Sequence, residues 1–233
     1  MSKTIAEPFS VDEERKDVIH KGRNTLTLAR WQDKDVVVKD FGRPLLRGWE
    51  YALRKSKARR SFENARTLLQ RGIDTPAPIA YRERRSDLTN RLKGCAYICL
   101  YEPSQSLLDF YDTADAAFIH AFAAFVAGLH DKGIRHDDLN NTNIRVTASD
   151  GGYRFSLIDL NRMHIYPEGQ AVPVDECFDN ITRFSCLDDT FVAFLDQYLE
   201  LRGLPSSLRD KALEIKRRHD ANTDRKKKLK RLI

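Results

Sequence analysis

Between a broadly apolar helical run, Ala114–Lys132, and the strand-like Ile144–Val146 stands the stretch GIRHDDLNNTNIRV, Gly133 to Val146. His136, Asp137, Asp138, Asn140, Asn141 and Asn143 fall within eight of its positions. Side chains of this kind do not fill a core, because each needs a hydrogen bond or water when buried. The chain must therefore fold so that a helix and a strand, each with a face to bury, hold a polar loop between them. The helix is expected from Ala117, Phe118, Ala121, Phe122, Phe125 and Leu129, which share one broad face. Gly133 suits its cap. Two short strands, IRV and YRFSLIDL, follow around the turn ASDGG, the second carrying Asp159 at its end.

Upstream, Asp17 to Phe41 reads as three strands, DVIHK, TLTLARW and DVVVKDF, joined by the turns GRN and QDK. A helix follows in which Ala58, Phe62, Ala65 and Leu69 form one apolar stripe. It stops at Gly72, and GIDTPAP connects onward. Two further strands are expected at Pro78 to Arg84 and Cys95 to Glu102, with SDLTNRLKG as their loop. The remainder is helical, at Asp189 to Arg202 and from Ser206 into the tail. The expectation is one α+β domain of two lobes. Residues 1–102 would form a five-strand antiparallel sheet with one helix, and residues 103–233 a reduced, mostly helical lobe with a basic C-terminal helix.

Composition narrows the setting. A hydrophobic fraction of 41% and 12 Phe supply a real core, so disorder is not expected. There is no run of about eighteen apolar residues for a transmembrane helix. The first 17 residues, MSKTIAEPFSVDEERKD, lack the apolar segment of a secretory signal. Cys95, Cys99, Cys177 and Cys186 make no CxxC pair, so reduced, partly buried thiols in the cytoplasm are expected. The net charge is +6, yet Lys216 to Arg231 alone holds nine Lys/Arg against Asp220 and Asp224. Basicity is thus a property of the tail, with a second cluster at Arg43 to Arg60. Such patches attract anions of any kind, although a terminal Lys/Arg run is also simply a solvated helix end.

The sharpest chemistry lies in His136-x-Asp138-x-x-x-x-Asn143 followed by Asp159. Phosphoryl transfer needs the γ-phosphate held in line, its charge neutralised by Mg²⁺, and a carboxylate to orient the attacking hydroxyl. Asp138 fits the last task, and Asn143 and Asp159 offer the hard oxygens that Mg²⁺ takes beside phosphate and water. Protein kinases carry H-R-D-L-x-x-x-N and a later D-F-G; here the chain reads H-D-D-L-N-N-T-N and D-L-N. Asp138, five before Asn143, is the base candidate, whereas Asp137 takes the variable middle place and is expected in water or paired with a neighbouring Arg. His136 reads as a hydrogen-bonding support under the loop. Asn140 and Asn141 either bind acceptor or satisfy the turn.

Val36-Val37-Val38-Lys39 resembles V-A-I-K and supplies the lysine expected on the third strand; alone, Lys39 would read as a snorkelling surface lysine. Its partner glutamate belongs on the next helix. Glu63, at the border of the apolar stripe, is preferred over Glu50, and the simpler alternative for Glu63 is an ion pair with Arg59 or Arg66. The phosphate-covering loop is sparse: Lys21 to Asn24 offers Gly22, with Arg23 as a possible phosphate ligand, where kinases have three glycines. By order along the chain, Tyr101-Glu102-Pro103 would be the hinge whose backbone meets adenine.

Taken together, RKSKARRSFENARTLLQRGIDTPAPIAY, VVVKDF, LHDKGIRHDDLNNTNI and FSLIDLNRM resemble the lipopolysaccharide core kinase family (Kdo/WaaP type) within the protein-kinase-like fold. The resemblance spans about Asp17 to Arg162. No A-P-E segment is visible in the 74 residues after Asp159. It implies ATP-dependent, Mg²⁺-assisted phosphorylation of a Kdo or heptose hydroxyl in the lipid A–inner core region at the cytoplasmic face of the inner membrane. It further implies Lys39 and Glu63 as an ion pair, Asp138 as base, and Asn143 and Asp159 as Mg²⁺ ligands. The basic tail would then meet an anionic membrane surface carrying the glycolipid acceptor. Leu160-Asn161 stands where Phe-Gly would be expected.

Other readings are an aminoglycoside- or choline-type phosphotransferase, an atypical protein kinase, and a pseudokinase binding module. The first usually has an acidic C-terminal half, unlike this chain. Retention of Lys39, Asp138, Asn143 and Asp159 together argues against the last. Nucleic acid is not an expected partner, because the basic run lacks interleaved aromatics and no nucleic-acid motif is present.

Overall fold

The computed structural model describes residues 12–42, 51, 54–111, 113–149, 151–184 and 188–231. They form two compact units. One comprises the chain up to Pro103 together with Ile158–Arg162, and the other Ser104–Leu157 with Met163 onward. A boundary drawn at residue 102 leaves Ile158–Arg162 in the second half, whereas this short segment is bonded into the first unit.

In the first unit, strands β1 (Asp12–Lys21), β2 (Thr25–Trp31), β3 (Lys34–Asp40), β4 (Pro78–Arg85) and β5 (Leu92–Leu100) make one antiparallel sheet, ordered β1-β2-β3-β5-β4. The β2–β3 turn is made by Gln32 (φ 45°) and Asp33 (φ 59°), the left-handed pair that a two-residue hairpin turn requires. Strand alternation sends Val36, Ala29, Ala80 and Ile98 to one face, where Trp31, Val38, Ile79 and Leu100 pack against them. Lys39 lies on the other face, opposite Leu26 and Tyr97.

Helix α1 (Lys57–Gln70) covers that second face, with Phe62 against Tyr81 at 5.5 Å between ring centroids. Ser56 caps it, its hydroxyl accepting the Arg59 N–H at 3.0 Å. The buried stripe is Ala58, Ser61, Ala65 and Leu68, not the expected Ala58, Phe62, Ala65 and Leu69. Ser61 can be buried because its hydroxyl donates to the Lys57 carbonyl at 3.0 Å, and Leu69 is left 40% exposed.

The second unit holds β6 (Gln105–Ser106), α2 (Leu108–Tyr111), α3 (Ala116–Asp131), β7 (Ile134–His136), β8 (Ile144–Ser149), β9 (Gly152–Leu157), β10 (Met163–Ile165), α4 (Val174–Ile181), α5 (Asp189–Leu201) and α6 (Arg209–Arg231). Strands β6, β8 and β9 form one small sheet, and β7 with β10 another. Asp115 caps α3 by accepting the Phe118 N–H at 2.8 Å, and Gly133, at φ 68°, ends it. Phe122 at the centre of α3 meets Phe155, Phe184 and Phe194 at 5.6, 5.0 and 4.9 Å between ring centroids. That aromatic cluster is the core joining α3 to α5.

Helix α6 is not solvated along its whole length. Lys216 is fully buried; its ammonium donates to the Thr182 and Phe184 carbonyls, both at 3.1 Å, and to Asp220 at 2.9 Å. It also sits 5.2 Å from the Phe191 ring centre. Thr182 ends α4, so this lysine closes the carbonyl end of that helix. The first of the nine basic residues therefore fixes the tail to the core. Among the described residues, no helix is long and apolar enough to cross a membrane.

Candidate active site

The polar loop begins where β7 ends. His136 is fully buried, and its Nδ1 accepts the Asp138 N–H at 3.1 Å, so a neutral ring supports the backbone of the base candidate. Leu139 is also fully buried and anchors the loop from beneath. Asn140 Oδ1 accepts the Thr142 N–H, the Thr142 hydroxyl and the Asn143 N–H at 3.0, 2.6 and 3.1 Å. Asn140 is therefore spent on the turn. Asn143 donates its amide nitrogen to the Asp138 carbonyl at 2.8 Å, which leaves its Oδ1 as the oxygen able to face an ion. The Asp138 carboxylate takes a long contact, 3.3 Å, from Asn140 Nδ2. Asp137 points to Arg135 at 3.2 Å, and Arg135 also pairs with Glu176. Burial opposes the charge on Arg135, but Glu176 and Asp137 together raise its pKa above the ordinary value.

In the first unit, Lys39 Nζ lies 2.7 Å from Asp159 Oδ1, with the two side chains 15% and 28% exposed. Asp159 takes φ 59°, a left-handed conformation that Asp tolerates better than most residues, and this turns the chain out of strand geometry. The strand expected to end on it stops at Leu157. Asn161 Nδ2 donates to Asp159 Oδ1, and Asn64 Nδ2 on α1 donates to the Leu160 carbonyl at 2.6 Å. These bonds hold Ile158–Arg162 in the first unit. Asn64 carries no local sequence signal, whereas Asn161 stands where a glycine is expected.

The expected Lys39–Glu63 pair is not the one formed. Glu63 is engaged by Lys55 at 2.7 Å and by Arg59, one turn earlier on α1, at 2.9 Å. Burial raises its pKa, and hydrogen bonds from Lys55 and Arg59 outweigh that and hold it below the ordinary carboxylate value. Glu50 lies outside the described residues, as do Arg43 and Arg47 of the upstream basic cluster. Gly22 has no positive φ; its N–H donates to the Asn24 carbonyl at 3.1 Å, and an added Cβ would meet only the far end of His20. The backbone there does not demand glycine. Arg23 is exposed. Beyond β5 the Tyr101 N–H continues the ladder to the Asp35 carbonyl at 2.9 Å. Burial first, then the charge of Glu102, pushes the Cys99 thiol up to about 12. Cys95, Cys99 and Cys177 are free, buried thiols; Cys186 lies outside the described residues.

Among the described residues no three His, Cys, Asp or Glu side chains gather as a metal cage. Hard oxygens are what Mg²⁺ takes, with one or two carboxylates beside phosphate oxygens and water. Asp159 and Asn143 each offer such an oxygen.

Among solved structures, WaaP in complex with acyl carrier protein is similar at a TM-score of 0.60 and 19% identity, covering 88% of each chain. An aminoglycoside-3'-phosphotransferase of type VIII aligns at 0.55 and 13% identity, over 87% of this chain and 91% of that one. The Rio2 kinase from Chaetomium thermophilum aligns at 0.52 and 17% identity, over 92% and 72%. At these identities the likeness is one of fold, and the fold is protein-kinase-like. No curated protein matches the sequence significantly. The profile of the lipopolysaccharide kinase (Kdo/WaaP) family matches residues 21–167, a span that carries Lys39, Glu63, the polar loop and Asp159. The chain belongs to the lipopolysaccharide kinase (Kdo/WaaP) family and is a phosphotransferase.

Proposed function

We propose that this kinase transfers the γ-phosphoryl group of ATP to a Kdo or heptose hydroxyl of the lipopolysaccharide inner core. The observation that carries the reading is the Asp138 loop. Its backbone N–H is taken by buried His136, and its carbonyl by Asn143. Among the described residues, the side-chain carboxylate has one long contact. Such a carboxylate can orient the sugar hydroxyl and accept its proton as that oxygen attacks the γ-phosphorus. The bond from phosphorus to the β–γ bridging oxygen then breaks, and ADP leaves. Mg²⁺, when bound, neutralises the charge that collects on the phosphate oxygens; Asn143 Oδ1 and the Asp159 carboxylate are its proposed ligands. Lys39 would contact the α- and β-phosphates, exchanging part of its pairing with Asp159 for phosphate.

The acceptor class is anionic, bearing lipid A phosphates and Kdo carboxylates, and the basic part of α6 is of the opposite sign. We therefore place the enzyme peripherally on the cytoplasmic face of the inner membrane. The test is to incubate the purified chain with Mg²⁺-ATP and Kdo- or heptose-bearing lipid A, and to analyse the glycolipid by mass and ³¹P spectroscopy. A new sugar phosphomonoester with matching ADP release is expected. ADP release that needs an aminoglycoside or a protein instead of the glycolipid would overturn the acceptor assignment.

A further inference from the structure

Four residues behind the polar loop form one hydrogen-bonded line in the core of the second unit. Tyr198 of α5 lies 2.7 Å from His130 Nδ1, at the end of α3. His130 Nε2 lies 3.0 Å from Asn180 Oδ1 on α4. Asn180 Nδ2 donates to the His136 carbonyl at 2.7 Å, and His136 Nδ1 accepts the Asp138 N–H. Tyr198, His130 and His136 are fully buried and Asn180 is 2% exposed.

The direction of every bond follows from one end. A backbone carbonyl only accepts, so Asn180 must present its amide nitrogen to His136 and its oxygen to His130. His130 must then carry its proton on Nε2, which makes Nδ1 the acceptor of the Tyr198 hydroxyl. Burial lowers the His130 pKa to about 4, and Asn180 opposes this only in part, so the ring is neutral as the line requires. Arg202, paired with Asp131 at 2.9 Å and 6.0 Å from the Tyr198 ring centre, closes the far end. No atom of the line touches the reacting groups. Its output is the position of the His136 peptide, and through it of Asp138 and of the Asn143 bond to the Asp138 carbonyl.

We propose that Asn180, held in one orientation by His130 and Tyr198, is a positioning residue that sets the place of Asp138 and Asn143 for phosphoryl transfer. This rests on the function proposed above. Side chains from three helices are bonded in series behind one carbonyl at the end of β7, and amide orientation, histidine tautomer and hydroxyl direction are all determined together. A core that needed only filling would use apolar side chains here, because a buried polar line is costly unless fully satisfied.

Asn180→Asp tests the idea most sharply. The carboxylate still accepts from His130 but cannot donate to the His136 carbonyl. The expected result is a fall in kcat of at least tenfold, with KM for ATP within about twofold of wild type. The Mg²⁺ concentration for half-maximal rate should rise, because Asn143 moves with the loop. Hydrogen exchange should quicken at residues 136–143 and stay unchanged in the β-sheet of the first unit. Tyr198→Phe, which keeps the ring, should lower kcat about two- to threefold and serves if Asn180→Asp does not fold. Wild-type kcat in the variant that folds, or equal losses in kcat and ATP affinity with exchange raised throughout, would overturn the proposal. The exchange measurement needs no turnover. Failure of the wild type to phosphorylate any glycolipid would count against the proposed function, and unchanged exchange at the loop against the positioning line.

Discussion

Asp137 and Asp138 are adjacent carboxylates with opposite employment. Asp137 is turned to Arg135, which Glu176 also neutralises, while Asp138 has its backbone fixed and its carboxylate nearly unengaged. General-base catalysis contributes about 10²- to 10⁴-fold. Asp138→Asn should therefore lower kcat by a factor in that range with an unchanged unfolding transition. Asp137→Asn loses one partly exposed pair, which is worth at most about 1 kcal/mol, and should keep kcat within about threefold. Steady-state kinetics on both variants decides it; abolition of turnover by Asp137→Asn alone would reverse the assignment.

Among the elements, α3, α4 and α5 share the buried His130, and that makes their packing sensitive to acid. Free histidine titrates near 6.5 and His130 in the fold near 4. Between those values the unfolded chain binds the proton and the folded one does not, so stability falls as pH falls through that window. The full difference corresponds to roughly 3 kcal/mol by pH 4. Thermal unfolding from pH 7 to 5 should show a declining midpoint, and His130→Gln should flatten the decline. An equal slope in both proteins would remove His130 as its cause. None of this was legible in LHDKGI, because the partners Asn180 and Tyr198 lie 50 and 68 residues away. What could be read was local: strand alternation, the hairpin turn at Gln32-Asp33, and the loop spacing from His136 to Asn143. Periodicity misplaced the buried stripe of α1, since it counted Phe62 and could not see that Ser61 would satisfy its hydroxyl on the preceding turn. The two-residue β6 and the three-residue β7 and β10 are too short to leave a pattern. The left-handed turn at Asp159 leaves none either, and with it went the pairing of Lys39.

For the molecule as a whole, the basic tail has two parts with different jobs. Ala212, Leu213 and Lys216 are buried, and Lys216 satisfies two carbonyls at and just beyond the end of α4. Lys216→Met should cost roughly 2–4 kcal/mol, since it removes the buried ammonium that those two carbonyls accept from. Lys228→Ala, at an exposed position of the same helix, should change stability by less than about 0.5 kcal/mol. Denaturant unfolding of the two variants separates the anchored part from the free part. Deleting residues 223–233 removes six cations and one carboxylate, all of which follow Lys216, the last buried residue among those described. Each cation near an anionic bilayer contributes about 1 kcal/mol, screened within a Debye length. The truncated chain should keep its unfolding midpoint and its turnover of detergent-dispersed acceptor. It should also bind phosphatidylglycerol vesicles at least tenfold more weakly than the full chain at low salt. Raising the salt should bring the full chain down to the level of the truncated one. If cosedimentation with those vesicles is the same with and without residues 223–233, the membrane is met by another surface and the tail is only a solvated helix end.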